Sequence, residues 1–598
     1  MSRKSLLLYV SLAAVWAATA PCPLSAEEIQ AEWGPVGSPK ILTSPQRLVE
    51  SSGVRPAFEL QAADEVTVRP ISAWNGAGMR PQRNGVERLL SEARLVTLQQ
   101  MDRGEKTKQL GGGVLARSIN DDALVWAMAL RVEQAWRMRI RLGDVRLPND
   151  TQMWVYGENG ETVGPFGIEL MGPDGKLWTP SVEGPEIRLE ISVPDGTWEV
   201  EHPPSLRIEA ISELFLLGDG GMPRLGGHLQ AKDSSCFIDA ACVGTGDYAP
   251  IDYVPRAVAY LEFMNGGSGY ICTGTLVNDR VQETYVPYLL TANHCFSSQS
   301  SASTLEAFFD YIQSPCLGAA PPLGSLPRSS GSTLLETSST NDFTFVRLNQ
   351  LPGSRALLGW TTTDPSNGAI LHRVSHPEGL PDAYTQYSKI TNPLGTCGLS
   401  TSNYHFLEFL EGGSTGGSSG AALLNDNGQI VGQLRGACGP NPSDGCDYSN
   451  YDTDGKFSVT FPHISQYINV EGGSGSPCVQ DLNNGVVCLR SGRFEFVGSW
   501  TDFANPANTQ PLIWTPVENI NATGGFQNNP SGIQIVMRVA DGCGLTGTWW
   551  VWLGGFTDAG WNISVRDTVT GKQRTFSKPR QGGVFPTTTR DSTTFTCN

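Results

Sequence analysis

Three segments in the middle of the chain carry residue types that can do chemistry together. Tyr288-Leu-Leu-Thr-Ala-Asn-His-Cys295 is an apolar strand that ends in small residues and a histidine beside a cysteine. In Thr340-Asn-Asp-Phe-Thr-Phe-Val-Arg-Leu348 an aspartate, Asp342, heads a strand whose alternate residues are apolar. In Gly413-Ser-Thr-Gly-Gly-Ser-Ser-Gly-Ala-Ala-Leu-Leu424 a glycine-rich turn presents Ser419 and then enters a strand, which Asn425 to Gly428 turns back into Gln429–Leu434. A serine hydroxyl is a weak nucleophile until a neutral imidazole takes its proton, and the imidazole needs a carboxylate to fix its tautomer. His294 would be general base and then acid, Asp342 its orienting partner, and Ser419 the nucleophile. Glycines around the serine let backbone N–H groups meet a developing oxyanion, which assigns Gly417 and Ser419 to the oxyanion hole. The chemistry is acyl transfer through a covalent acyl-enzyme. It calls for no metal and no organic cofactor.

Spacing removes several other chemistries. The order His, Asp, Ser reverses the Ser, Asp, His order of nucleophile-elbow hydrolases, and no HExxH zinc motif occurs. His372 and His376 stand four apart, but Pro377 makes that stretch a loop, and no Cys/His cluster has zinc spacing. We expect no metal.

The elements that must position these residues are mainly β. With 598 residues, 68 of them Gly and 39 Pro, and only 17% charged, the chain reads as several turn-rich domains. A net charge of −17 argues against a nucleic-acid partner. Arg3 and Lys4, the apolar run Leu6–Ala20 and the small residues up to Ala26 read as a secretory signal, 1–26. No later run is long enough to span a membrane, so the mature chain is expected to be secreted, soluble and free of membrane. Cys22 leaves with the signal, and twelve cysteines in an oxidising compartment imply disulfides. Residues 27–232 contain no cysteine and read as a β-sandwich-like block, with strands at Leu124–Val132, Met153–Tyr156 and Ile187–Val193. The spacing from Val86 to Met101 predicts a short amphipathic helix. A loose joint follows at 218–227. Residues 233–470 hold the chemistry, 471–477 form a Gly/Ser linker, and 478–598 form a small β domain.

The block from Cys236 to about Val470 resembles the lysyl endopeptidase branch of the chymotrypsin-fold serine peptidases. The resemblance rests on Ser235-Cys-Phe-Ile-Asp-Ala-Ala-Cys242, Cys272-Thr-Gly-Thr-Leu-Val-Asn278, Leu290–Cys295, Asn341–Thr344, Gly359-Trp360, His376-Pro377, Gly417–Gly420 and Gly432-Gln-Leu434. It implies two β-barrels with the cleft between them, a secreted endopeptidase acting on protein or peptide substrates, and three disulfides: Cys236–Cys438, Cys242–Cys316 and Cys272–Cys295. Cys397 and Cys446 have no counterpart and are left to pair with each other. Cys478, Cys488, Cys543 and Cys597 belong to the last block.

Trypsin-type pockets place an acid six residues before the nucleophile, where this chain has Gly413. The family's later Asp-x-x-Gly-Arg/Lys element reads Asp452-Thr-Asp-Gly-Lys456, which carries the pocket-floor role to Asp452. The competing reading is a solvated acidic turn among Asp444, Asp447, Asp452 and Asp454. Where lysine-cutting members have a histidine beside the pocket this chain has Arg435, whose guanidinium would repel a lysine or pair with the acidic loop. Family precursors are cut near Lys232, with Arg224 a second site here, so 27–232 is expected to be a pro-region. Trp549, Trp550 and Trp552 are expected to pack in a core. Two rival functions stay open: the same mechanism with a different specificity, and an inactive binding protein on a peptidase fold. A monomer is expected. Lysine is scarce, ten against 32 arginines, and only Lys389, Lys456, Lys572 and Lys578 follow Lys232. A lysine-cutting enzyme that spares itself fits that skew, although arginine also dominates before the boundary.

Overall fold

Short strands separated by Gly and Asp turns build almost everything here. The computed structural model describes residues 27–596 apart from 35–43, 65–66, 72–80, 102–104, 119–122, 195–200, 218–235, 281–284, 470–477, 502–508, 527–531, 580–586 and a few single positions. The signal segment, the joint with Lys232 and Arg224, the linker 471–477 and Cys597 therefore lie outside the described residues. No helix among the described residues is long and apolar enough to cross a membrane.

The catalytic block is a chymotrypsin-like pair of curled sheets, one a closed six-stranded barrel and the other a half-barrel. In the half-barrel, Val258–Asn265 pairs with Ser268–Val277 and Glu306–Phe309. Ser268–Val277 leads through Tyr288–Thr291 to Phe343–Leu348. In the closed barrel, Ile370–Ser375, Ala383–Ile390, Tyr404–Glu411, Tyr451–Lys456, Ile430–Cys438 and Ala422–Leu424 pair in turn, and the last returns to the first. One apolar core runs through both halves, from Leu261 and Phe309 to Trp360 and Ile464. The helix Phe457–Ile468 seals it with Phe457, Ile464 and Ile468.

Residues of the N-terminal block form two sheets around a core that includes Trp126, Met128, Leu130, Ile140 and Ile208. The expected helix at Val86–Met101 is corrected: Gln82–Thr97 is a sixteen-residue strand. Val86, Leu89, Leu90 and Ala93 do follow helical spacing. They are nevertheless drawn into a ladder, paired on one side with Ser205–Leu214 and on the other with Ser268–Ile271 of the catalytic block. Leu89 and Leu95 are left exposed as a result. Tertiary pairing overrides a local pattern of this strength.

The same sheet buries a charge cluster. Glu262 and Glu306 face each other on adjacent strands, both fully buried. Like charges opposite one another destabilise a pair of strands. Three arginines answer them. Arg328 reaches Glu306 at 3.1 Å, Arg139 from the N-terminal block lies 3.7 Å from it, and Arg137, beside Glu161 at 3.4 Å, adds its charge. Burial pushes the Glu306 carboxyl up, but these arginines outweigh it and hold the group below its ordinary value. At Glu262 burial wins and the pKa is raised. Asn84 and Ser181, also from the N-terminal block, donate to Glu262 and Glu306 at 2.6 and 2.9 Å.

The C-terminal block packs two five-stranded sheets over Phe494, Phe496, Trp514, Trp549 and Phe595. Cys478 is bonded to Cys488, and Cys543 is also in a disulfide. Of the three tryptophans expected in the core, Trp549 is there. Trp550 and Trp552 are half-buried and meet edge to face at 5.7 Å.

Burial also writes a pH dependence into the closed barrel. His405 is fully buried with Nε2 3.2 Å from the Val431 carbonyl. Its desolvation, against the pull of Asp364, pushes its pKa down to about 4. The unfolded chain takes up a proton near pH 6.5 that the folded chain refuses until about pH 4, so this stability is complete above pH 6.5 and lost as pH falls through that window. Urea unfolding at pH 7.5 and pH 4.5 should show His405→Gln losing about 2 kcal/mol less than the parent on acidification.

Candidate active site

His294 is positioned by a strand end and a disulfide. Tyr288–Thr291 runs out at Ala292, and Cys295 is tied to Cys272 on the neighbouring strand, which fixes the turn carrying His294. Asp342 sits at the head of Phe343–Leu348 with φ of 58°, a left-handed conformation uncommon for a non-glycine residue. That twist turns both carboxylate oxygens toward one residue. Oδ1 accepts the His294 backbone N–H at 2.9 Å and Oδ2 lies 2.6 Å from Nδ1. An ionised carboxylate can only accept, so Nδ1 carries the proton and Nε2 of the neutral ring carries the lone pair. Nε2 is buried and makes no hydrogen bond.

The second barrel and the helix Phe457–Ile468 hold Asp342 in place through its neighbour. Asn341 is fully buried, and its Nδ2 donates to Thr460 Oγ1 at 2.7 Å. Its carbonyl accepts from Gln433 Nε2 at 2.8 Å. Gly455 lets that carbonyl approach, since a Cβ there would collide with it.

Around the serine the backbone is pinned from the other half. Ser419 accepts the Thr273 N–H at 2.9 Å on its carbonyl, while Thr273 Oγ1 donates to the Gly417 carbonyl at 2.8 Å. Gly420 packs against Thr291 and Ala292, at the root of the histidine turn. Gly417 has φ of 100°, and a Cβ on it would lie 2.5 Å from the His376 carbonyl. Among the described residues neither the Gly417 nor the Ser419 N–H donates to a protein acceptor. Two amides beside a serine are thereby left for an oxyanion.

Asp452 and Asp454 lie on Tyr451–Lys456 and are fully buried, so the reading of a solvated turn is overturned for these two; Asp444 is exposed and Asp447 half-buried. Asp452 Oδ2 accepts from Ser414 Oγ at 2.6 Å, from Tyr387 OH at 2.7 Å and from Arg373 at 2.6 Å. Arg373 also pairs with Asp454. Burial, with Asp452 adding to it, pushes Asp454 up to about 6 against the pull of Arg373. Arg435 lies over the Tyr404 ring at 5.9 Å rather than in the acidic loop. Sequence reasoning missed Arg373, Tyr387, Ser414 and Thr273. Arg373 left one signal, a lone arginine in a strand that runs straight into His376-Pro377.

His372 and His376 have separate partners. Nδ1 of His372 meets Tyr384 OH at 2.7 Å and its Nε2 meets Asp426, whereas His376 Nδ1 meets the Leu380 carbonyl at 3.0 Å.

Two disulfide assignments are corrected. Cys242–Cys316 and Cys272–Cys295 are present, but Cys236 is bonded to Cys446 and Cys397 to Cys438. Cys236 lies against Gly413 and Gly445, next to Cys446. Cys438 is turned into a cluster with Tyr404, Phe406 and Tyr451, against which Ile390 and Leu399 pack from the two ends of the loop that carries Cys397. Cα separations of 5.7 and 6.1 Å suit both bonds.

Gly417 offers a direct test of this geometry. Gly417→Ala should lower kcat/KM on an activated acyl substrate by about 10²-fold, because a Cβ must push the turn off the His376 carbonyl and swing an oxyanion donor away.

A family model, Lysyl endopeptidase, C-terminal domain, matches residues 231–451. Lysyl endopeptidase of Pseudomonas aeruginosa is 26% identical over 356 residues, 57% of this chain and 73% of that protein. The secreted RxLR effector protein 73 of Plasmopara viticola is 27% identical over 249 residues, 39% of this chain and 57% of its own length. Among solved structures, a thermostable serine protease from an extremophilic microorganism aligns at 13% identity and a TM-score of 0.26, over 36% of this chain and 99% of that one. The family match spans the segment that holds His294, Asp342 and Ser419, and on that ground the chain is a lysyl endopeptidase-like serine peptidase.

Proposed function

We propose that His294, Asp342 and Ser419 are the catalytic triad of a secreted endopeptidase that cuts after lysine. The observation that carries this reading is the doubly held His294, with Nδ1 on Asp342 and Nε2 unpartnered. Ser419 Oγ attacks the scissile carbonyl as its proton passes to Nε2, and the oxyanion takes the Gly417 and Ser419 amides. The imidazolium then gives the proton to the leaving nitrogen, the C–N bond breaks and the acyl-enzyme remains. Water repeats the two steps and restores the serine. Asp452 supports a basic preference: this buried carboxylate accepts from Ser414 Oγ, and Ser414 stands five residues before Ser419.

Replacing Ser419 by Ala should lower kcat by about 10⁶-fold, and a fluorophosphonate should label the parent at Ser419 and leave the variant unlabelled. Cleavage sites mapped in a digest of denatured proteins should fall after lysine. Asp452→Asn should cost about 10²-fold in kcat/KM on lysyl substrates. Full activity in Ser419→Ala would end the assignment, and sites scattered over non-basic residues would favour the same mechanism with another specificity.

We also infer that 27–232 is a pro-region released by the enzyme itself near Lys232. Its strand Gln82–Thr97 pairs with Ser268–Ile271, and buried Gln82 lies against Gly416, three residues before Ser419. A purified parent should shed this block on incubation, and Ser419→Ala should keep it, as read by mass spectrometry of the intact chains.

A further inference from the structure

One buried cluster sits next to the proposed pocket and takes no part in the proton transfers. Arg373, Asp452, Asp454 and Tyr387 are all fully buried and share hydrogen bonds. Two carboxylates stand against a single guanidinium, so one negative charge is left without a partner inside the barrel.

The distribution of donors is lopsided. Asp452 Oδ2 receives Arg373, Tyr387 and Ser414, with Arg373 Nη1 also 2.5 Å from Tyr387 OH. Asp452 Oδ1 is buried and has no hydrogen-bond partner. The resident guanidinium thus spans the two acids and fills the fork that a carboxylate would offer to a second one. What remains is one free oxygen on each acid, Asp452 Oδ1 and Asp454 Oδ1, so neither carboxylate keeps both oxygens open.

A guanidinium is recognised best through two parallel hydrogen bonds to both oxygens of a carboxylate, whereas an ammonium is a point charge that one oxygen can hold. We propose that Arg373 is a positioning residue that, by engaging Asp452 Oδ2 with Tyr387 and Ser414, leaves only Oδ1 to the substrate and so makes the pocket select lysine over arginine. This rests on the assignment of Asp452 to the pocket floor. The arginine acts through Asp452 and does not touch the substrate. Its charge also offsets Asp454, so that the pocket presents one net negative charge to one incoming cation.

The experiment compares peptide substrates that differ only in lysine or arginine before the scissile bond, with kcat and KM measured separately on the mature enzyme. The parent should prefer lysine. Tyr387→Phe removes one donor from Oδ2, and Arg373→Lys replaces the fork by a point charge. Each should raise the arginine-to-lysine ratio of kcat/KM about tenfold, mainly through a lower KM for the arginine substrate. Near-UV circular dichroism and a cooperative thermal transition report whether each variant is folded, and if Arg373→Lys is not, Tyr387→Phe alone decides. A ratio unchanged within twofold in the folded variants, with the parent's lysine preference intact, overturns the proposal. A parent without basic preference, or an Asp452→Asn enzyme that cuts lysyl substrates undiminished, overturns the pocket assignment itself and is seen before any ratio is compared.

Discussion

Everything in the catalytic block converges on one carboxylate. Asp342 spends both oxygens on His294, one on its backbone and one on its ring, and so fixes position and tautomer together. This is possible only because the chain enters Phe343–Leu348 through a left-handed residue, a conformation that costs on the order of 1 kcal/mol and persists where neighbours over-determine it. Those neighbours belong to the other barrel and the helix that follows it: Gln433 and Thr460 hold Asn341, and Gly455 makes room for its carbonyl. The two halves are therefore registered against each other at Asn341-Asp342. The reverse contact, Thr273 from the first half on the carbonyls of Gly417 and Ser419, closes the loop. Neither half is a site alone.

Two buried ionic clusters flank this core, and each is lopsided. Such clusters rarely stabilise a fold by themselves, since desolvation offsets most of their attraction, while losing one partner leaves a costly bare charge. In the closed barrel, Arg373 faces two aspartates within one domain. In the half-barrel, Glu262 and Glu306 draw Arg137 and Arg139 from the N-terminal block. The first cluster is a fixed feature of the barrel. The second is shared between two blocks, and its balance depends on both being present.

The chemistry was the most legible part of the sequence. A histidine beside a cysteine at a strand end, an aspartate heading a strand and a serine in a glycine-rich turn are short-range patterns, each readable from a few neighbours. What failed was long-range. Val86, Leu89, Leu90 and Ala93 carry helical spacing, yet strands from two different blocks claim that segment. The pairing of Cys236 and Cys438 went astray because four cysteines crowd one end of the barrel, and the choice among them is set by which loop lies over Tyr404 and Phe406. Arg373 was invisible for a similar reason. Its partners come from strands 14 to 81 residues further along the chain.

The strand that covers Ser268–Ile271 belongs to the same polypeptide as the edge it covers. While the two blocks are one chain, the covering segment is presented at an effective concentration set by the covalent connection, whatever the amount of protein in solution. On the proposed release near Lys232, the same contact becomes bimolecular and obeys mass action. On that proposal, dilution does what no conformational change has to do, letting the open edge appear as the freed fragment diffuses away.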